Sequence, residues 1–323
     1  MNRIISLLLI FSLLLFSSCK NGVKDNENKS PENMDSKVAL VILGTIQDGG
    51  SPHIACDEDC CADLFENPDK NRRVASVGVV DFENNKKYLF DATPDMTEQM
   101  KMLKNFADPA SSETPDGIFL THAHIGHYTG LMYLGKEAMS SDNVPVYAMP
   151  LMKKFLENNG PWDMLVENEN IKITELHNER GVKLTENIEV IPFYVPHRDE
   201  YSETVGYKIS GPDKKVLFIP DIDKWDKWDK DIKEEIGKVD YAIVDGTFYS
   251  GEELDTRDIS EIPHPFIIES MEKFEELPQN EREKVMFIHF NHTNPVINRD
   301  SPEAKEVMKQ GFRLAEINDV LEL

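Results

Sequence analysis

Three histidines stand at positions 122, 124 and 127 of the run Thr-His-Ala-His-Ile-Gly-His-Tyr-Thr-Gly, which spans 121–130. His122 and His124 are two apart, so on an extended backbone their side chains project to one side. His127 comes a helical turn later and approaches from another direction. Imidazole is the commonest protein ligand for borderline metals, and this density of it points to a metal site rather than a solvated polar loop.

A metal centre needs further ligands on rigid backbone, and strand ends supply them. Three more positions qualify. His197 follows the apolar run 191–196, Asp221 follows 216–220, and His289 follows Val285-Met286-Phe287-Ile288. Asp223 is the alternative to Asp221. His264, in Ile262-Pro263-His264-Pro265, is a candidate for a catalytic acid or a substrate contact. A metal-activated water at such a centre attacks a phosphoryl or carbonyl centre, with Asp221 and His264 as the catalytic pair.

The cysteines suggest a second kind of site. There are four, Cys19, Cys56, Cys60 and Cys61. If Cys19 is used elsewhere, the remaining odd number cannot all pair as disulfides. Adjacent Cys60 and Cys61 are poorly placed to bridge each other. Three thiols short of a partner suit a tetrahedral metal site with a fourth ligand from elsewhere. A disulfide from Cys56 to Cys60 or Cys61 is the alternative.

The elements that must position these residues read as follows. Val38–Leu43 is a first strand running into the glycine-rich loop 44–52, which lacks the Gly-Lys-Ser/Thr of a phosphate cradle and serves as a tight edge loop bringing the cysteines near the site. Strands are expected at 74–82, 87–91, 117–120, 144–148, 171–176, 188–195, 204–209, 215–219, 241–244 and 285–289, and helices at 94–106, 128–139, 151–157, 225–237 and 267–275. Two strand-rich halves with helices outside fit a single α/β (α+β) domain, a four-layer αββα sandwich over 37–323.

The amino terminus has a different character. Met1-Asn2-Arg3 precedes an apolar run to Phe16, a basic start and short apolar core that match a secretory signal over 1–18 rather than a membrane span. Its end, Leu15-Phe16-Ser17-Ser18-Cys19, resembles a bacterial lipoprotein box. That resemblance implies export, with lipid on Cys19 anchoring the chain to the periplasmic or surface side of a bacterial membrane; an ordinary signal peptide is the alternative. Residues 19–36 are polar enough to be a disordered tether. The formal charge of −24 over 323 residues disfavours nucleic acid as a partner and leaves a small-molecule substrate.

The histidine run resembles the HxHxDH signature of the metallo-β-lactamase superfamily, with Gly126 at the aspartate position. That resemblance implies a metallo-β-lactamase-like αββα sandwich carrying one or two zinc ions on one edge. His122, His124 and His197 would form the first pocket, His127 and His289 would serve the second, and Asp221 would bridge. The missing carboxylate at 126 predicts a weak second metal, unless water or another side chain fills the gap. The run His289-Phe290-Asn291-His292 is similar to a pair in the cyclic phosphodiesterase of phosphonate breakdown, a member of the same superfamily, and implies a structural zinc on Cys56, Cys60, Cys61 and His292. That member has CxCxxC spacing and this chain has CxxxCC, so the knuckle differs in shape.

A closer resemblance covers nearly all of 38–323. It rests on Asp91-Ala92-Thr93-Pro94-Asp95, Glu203-Thr204-Val205-Gly206-Tyr207, Asp245-Gly246-Thr247-Phe248, His292-Thr293-Asn294-Pro295 and Asp300-Ser301-Pro302, which look like the pyrroloquinoline quinone synthesis protein B family. Three functions follow: a zinc hydrolase acting on a phosphodiester, ester or lactone; an iron-dependent oxidase or oxygenase acting on a quinone precursor; or a surface binding protein using an inert metal fold.

Overall fold

In the computed structural model, which describes residues 36–253 and 262–323, every residue of β1 (Val38–Gly44) is buried. Side chains alternate between faces along a strand, and here both sets are apolar, so the strand must be covered on both sides. Val38, Leu40 and Ile42 join Phe90, Phe119, Tyr207, Phe218 and Ile288 in the core between two sheets. Val41 and Leu43 meet Met96 and Leu103 of α1 (Met96–Phe106) on the outside.

The first sheet continues with β2 (Ser76–Asp81), β3 (Lys86–Phe90), β4 (Gly117–Phe119), β5 (Val144–Ala148) and β6 (Ile171–Glu175). The second holds β7 (Val182–Lys183), β8 (Glu189–Tyr194), β9 (Val205–Ser210), β10 (Lys215–Ile219), β11 (Tyr241–Asp245), β12 (Val285–Ile288) and β13 (Arg313–Leu314). The chain then returns as β14 (Val320–Glu322) to pair with the free edge of β1, so each sheet has seven strands. Outside the first sheet, beside α1, lie α2 (Ile125–Tyr128), α3 (Pro150–Asn158) and α4 (Trp162–Glu167). The second sheet is followed outward by α5 (Ile232–Ile236), α6 (Ile267–Phe274), the single turn α7 (Gln279–Arg282) and α8 (Pro302–Lys309). Trp225, Ile236, Met271, Phe274 and Val307 close its outer core. Three apolar layers thus separate four structural ones, the αββα arrangement.

Strand direction decides where a site can form. β3, β4 and β5 run parallel, and two antiparallel steps through β2 give β1 the same sense. β10, β11 and β12 run parallel, and β8 shares their sense through β9. The segments that follow β1, β3, β4, β8, β10, β11 and β12 leave these sheets in the strand sense shared within each, the carboxyl ends where open α/β sheets place their ligands.

Two expected helices are corrected. Residues 128–139 do not form one helix: α2 passes into a 3₁₀ turn, Thr129–Leu134, that ends at extended Gly135. Close packing sets this shape, since a Cβ at Gly130 would lie 2.2 Å from Thr93 O. Residues 225–237 likewise split into a 3₁₀ turn, Trp225–Lys227, and the short α5. Trp228 between them is extended, donating its indole N–H to Tyr194 O, and Asp231 caps α5 by accepting from Lys233 N.

The leader at 1–18, Cys19 and all of the tether but Ser36 lie outside the described residues. No helix among the described residues is long and apolar enough to cross a membrane.

Candidate metal centre

The strand-end residues converge. His122 and His124 lie just beyond β4, with His127 in α2; His197 follows β8, Asp221 follows β10, and His289 follows β12 directly. His289 takes φ +69°, and Asp91, directly after β3, takes φ +67°. Such left-handed backbone is uncommon for residues other than glycine and is concentrated where a side chain must be aimed. Asp223, the alternative to Asp221, is not in the centre: its carboxylate accepts from Lys227 Nζ and Lys224 N.

Protons can be assigned from the outer partners. Asp91 Oδ2 is 2.8 Å from His127 Nδ1, so Nδ1 donates and Nε2 is turned toward the centre. The Thr121 hydroxyl donates to Asp91 and so accepts from His122 Nδ1 at 3.0 Å. The Thr247 hydroxyl donates to Asp245 Oδ1 and accepts from His289 Nδ1 at 2.9 Å. His124 is turned the other way, with Nε2 donating to Glu200 Oε2 at 3.1 Å. The result is lone pairs facing one another: His122 Nε2 and His124 Nδ1 are 2.7 Å apart with each ring's proton already committed. His197 carries the same message. Its side chain is fully buried, and both ring nitrogens, like Asp221 Oδ1, lack a hydrogen-bond partner. Buried acceptors without donors are costly unless a cation sits among them, so this donor set fits a metal.

Two overlapping sets result. His122, His124, His197 and Asp221 offer ligand atoms that all lie within 4.8 Å of one another, and so do Asp48, His127, Asp221 and His289. Asp221 belongs to both, with Oδ1 at 3.2 Å from His197 Nε2 and Oδ2 at 3.4 Å from His122 Nε2 and 3.5 Å from His127 Nε2. Burial holds His197 down to about 4 and His122 well below its usual range, so both are neutral ligands. Burial also disfavours charge on His127, yet the Asp48 and Asp91 carboxylates outweigh it and raise that ring. His264 sits beside this set. Its Nδ1 is 2.9 Å from Asp245 Oδ2 and 3.3 Å from Asp221 Oδ1, and despite burial these carboxylates raise it to about 9.

Asp48 was not anticipated among the ligands. It lies in the loop after β1, with Oδ1 at 3.1 Å from His127 Nε2 and 3.0 Å from His289 Nε2. The expectation of a weak second metal rests on the carboxylate missing at Gly126, and the structure supplies a carboxylate there from another loop. Asp91, Thr121, Asp245 and Thr247, which orient the histidines, were also missed as site residues; Asp91 and Asp245 share the signal that found the others, a polar residue where an apolar strand ends.

The cysteines form the separate cluster. Cys56, Cys60 and Cys61 are unbridged and lie with His292 within ligand reach. Sγ–Sγ separations are 3.7 Å for Cys56–Cys60 and 3.8 Å for Cys60–Cys61. A tetrahedral zinc with bonds of about 2.3 Å places its sulfurs about 3.8 Å apart, whereas a disulfide needs about 2.05 Å. His292 Nδ1 is buried without a partner, its ring stacked on His53 at 4.4 Å between centroids. Burial, and after it the adjoining thiols, push Cys60 up to about 12.

Beside the centre opens a cleft of about 810 Å³, walled by Asp48, His124, Arg198 and Glu200 and by the rings of Phe155 and Tyr201.

Residues 86–290 match the beta-lactamase superfamily domain. Over 302 residues the chain is 25% identical to coenzyme PQQ synthesis protein B of Methylococcus capsulatus, covering 85% of this chain and 96% of that one. It is also 25% identical to the protein of that name from Gluconobacter oxydans, covering 86% and 96%. Zinc-bound PqqB from Methylobacterium extorquens shares the fold with a TM-score of 0.73 at 22% identity, covering 88% of this chain and 100% of that one. A diphosphatase of the PhnP family does so with a TM-score of 0.62 at 22% identity, covering 88% and 97%. With its sandwich, its edge centre and the match over 86–290, this chain belongs to the metallo-β-lactamase superfamily and resembles PqqB along most of its length.

Proposed function

We propose that the chain is a metal-dependent hydrolase that directs water onto a phosphodiester, ester or lactone bond of a small substrate. The observation that carries this reading is the set of opposed acceptors around Asp221, above all His122 Nε2 and His124 Nδ1 at 2.7 Å. His122, His124 and His197 would hold one ion, His127 and His289 would serve a second, and Asp221 lies between the two. Zinc suits this mixed histidine and carboxylate set, and iron is the alternative. An ion bound there acidifies water and offsets charge growing on a phosphoryl or carbonyl oxygen.

The chain's own residues do the rest. Asp221, with one oxygen toward each pocket, would hold and orient the attacking water, whose proton leaves to solvent. His264, kept protonated between Asp245 and Asp221, donates to the leaving group. Arg198, the one arginine or lysine among the described residues walling the cleft, favours the anionic phosphodiester within the substrate class. The PhnP-family diphosphatase of the same fold is in keeping with that choice. In this reading Cys19 carries lipid, residues 19–36 are the tether, and the centre works on the exported side of the membrane.

Similarity over most of the chain to proteins named for PQQ synthesis favours a second reading, iron-dependent oxidation or oxygenation of a quinone precursor. Metal content of the purified chain, followed by a panel of phosphodiesters, esters and lactones, separates the two. Zinc with turnover that is abolished in His122→Ala and His197→Ala supports the hydrolase. Iron with oxygen uptake and no hydrolysis of the panel overturns it.

A further inference from the structure

We infer that Asp48, from the loop after β1, is the carboxylate ligand of the second metal position, replacing the aspartate that the histidine motif lacks at Gly126. The inference rests on the metal-centre part of the functional reading and not on the reaction.

The first observation is one of space. A Cβ at position 126 would lie 2.7 Å from Asp48 Cα, 2.7 Å from its Cγ and 2.9 Å from its Cβ. Real Cβ atoms do not approach other atoms so closely, so the side chain of Asp48 fills the volume where any side chain at 126 would begin. Glycine at 126 and aspartate at 48 are therefore one feature, the former making room for the latter.

The second is direction. Gly126 N donates weakly to Asp48 Oδ2 at 3.4 Å, which leaves Oδ1 between His127 Nε2 and His289 Nε2. Both histidines already commit their Nδ1 protons, to Asp91 and to the Thr247 hydroxyl. The Asp48 oxygen thus faces the inward nitrogen of both rings. Asp221 Oδ2 completes the group at 3.5 Å from His127 Nε2 and 3.8 Å from His289 Nε2. Four donors around a zinc with bonds of about 2.0–2.1 Å stand about 3.3–3.4 Å apart, and the observed separations bracket that value. Two further protons on the rings are the rival way to balance the charge.

The third is rigidity. Phe290 N donates to Thr45 O, Gln47 N donates to Phe290 O, and Ile46 bridges both Val74 and Phe290. The loop that carries Asp48 is thus laced to the segment that carries His289, which fixes the ligand before any ion arrives.

The test strips the full chain of metal, reloads it with zinc and counts ions retained, with binding followed by calorimetry. Wild type is expected to hold two ions at the centre and one at the cysteines. Asp48→Asn, of the same shape, should weaken one centre ion by more than the roughly 10- to 100-fold that loss of an outer partner costs, while the cysteine ion and the melting temperature report an intact fold. Asp48→Glu should recover part of the loss. Gly126→Ala should lose the same ion by driving a methyl into Asp48. Asp48→Asn with both centre ions at wild-type affinity overturns the inference, and so does a wild type that never takes up a second one. A centre that loads two ions yet turns over nothing in the panel sinks the hydrolase and leaves Asp48 in place.

Discussion

Asp91 Oδ2 stands 2.8 Å from His127 Nδ1, both side chains fully buried, and the same carboxylate accepts from Thr121 N and the Thr121 hydroxyl. Because that hydroxyl in turn faces His122 Nδ1, one carboxylate sets the tautomer of a histidine in each pocket. The turn that puts Asp91 there is left-handed, as is the one at His289 across the centre. Each sheet therefore bends its chain out of a parallel strand to aim a polar group at the same edge.

Asp91→Asn tests that role. The amide can offer a donor to His127 Nδ1, which would then need to accept, and the lone pair at Nε2 would be exchanged for a proton. Metal affinity at the centre should fall by about 10- to 100-fold, with the cysteine ion retained. Unchanged affinity at the centre would show that Asp91 only buttresses the fold.

What was legible in the sequence follows from one rule, that a polar residue ending an apolar run sits at a sheet edge. The rule finds His197, Asp221 and His289, each just beyond an apolar run, while His122 is found by the spacing of the histidines. Asp48 obeys it less openly: it lies within the glycine-rich loop, four residues past the end of β1, and its importance depends on Gly126 being 78 residues away in sequence yet in contact. The sandwich was legible from alternating strands and helices. The helices at 128–139 and 225–237 failed because tertiary contacts, Gly130 on Thr93 and Trp228 on Tyr194, override local propensity. β14 is three residues long and exists only because β1 offers it an edge, which no local pattern announces.

The anchor proposal concerns residues beyond those described. Native protein should partition into the detergent phase, and Cys19→Ala should release or misprocess it. Mass spectrometry that finds an unmodified mature terminus at another residue would end the proposal.

A contrast between neighbours separates structure from chemistry. Cys60→Ser should lower the melting temperature and remove one ion per chain, since binding energy at a closed site is folding energy. His289→Ala, three residues from His292, should instead lose turnover while largely keeping the melting temperature. Mild reductant should leave the wild type unmoved, as Cys56, Cys60 and Cys61 are unbridged. A wild type that melts lower in reductant and carries no ion beyond the centre would mean that the four-ligand site does not exist.

The two sites should also differ in how they respond to pH. Zinc binds the thiolate, not the thiol. Burial and the neighbouring sulfurs push Cys60 up to about 12, and burial raises Cys61, so without metal both are protonated near neutral pH. Loading the cysteine site must expel those protons, and each one expelled tightens binding by up to about tenfold per unit rise in pH until the thiol titrates. His122 and His197 in the first pocket are held neutral by burial, so zinc displaces few protons from them. Calorimetry in buffers of different ionisation enthalpy, with Cys60→Ser subtracted from wild type, isolates the cysteine component. That component should release more than one proton per zinc and strengthen from about pH 6.5 to about pH 8.5. A cysteine component with no proton release and flat affinity over that range would show that the thiols are already ionised, and that something other than zinc pays for their charge.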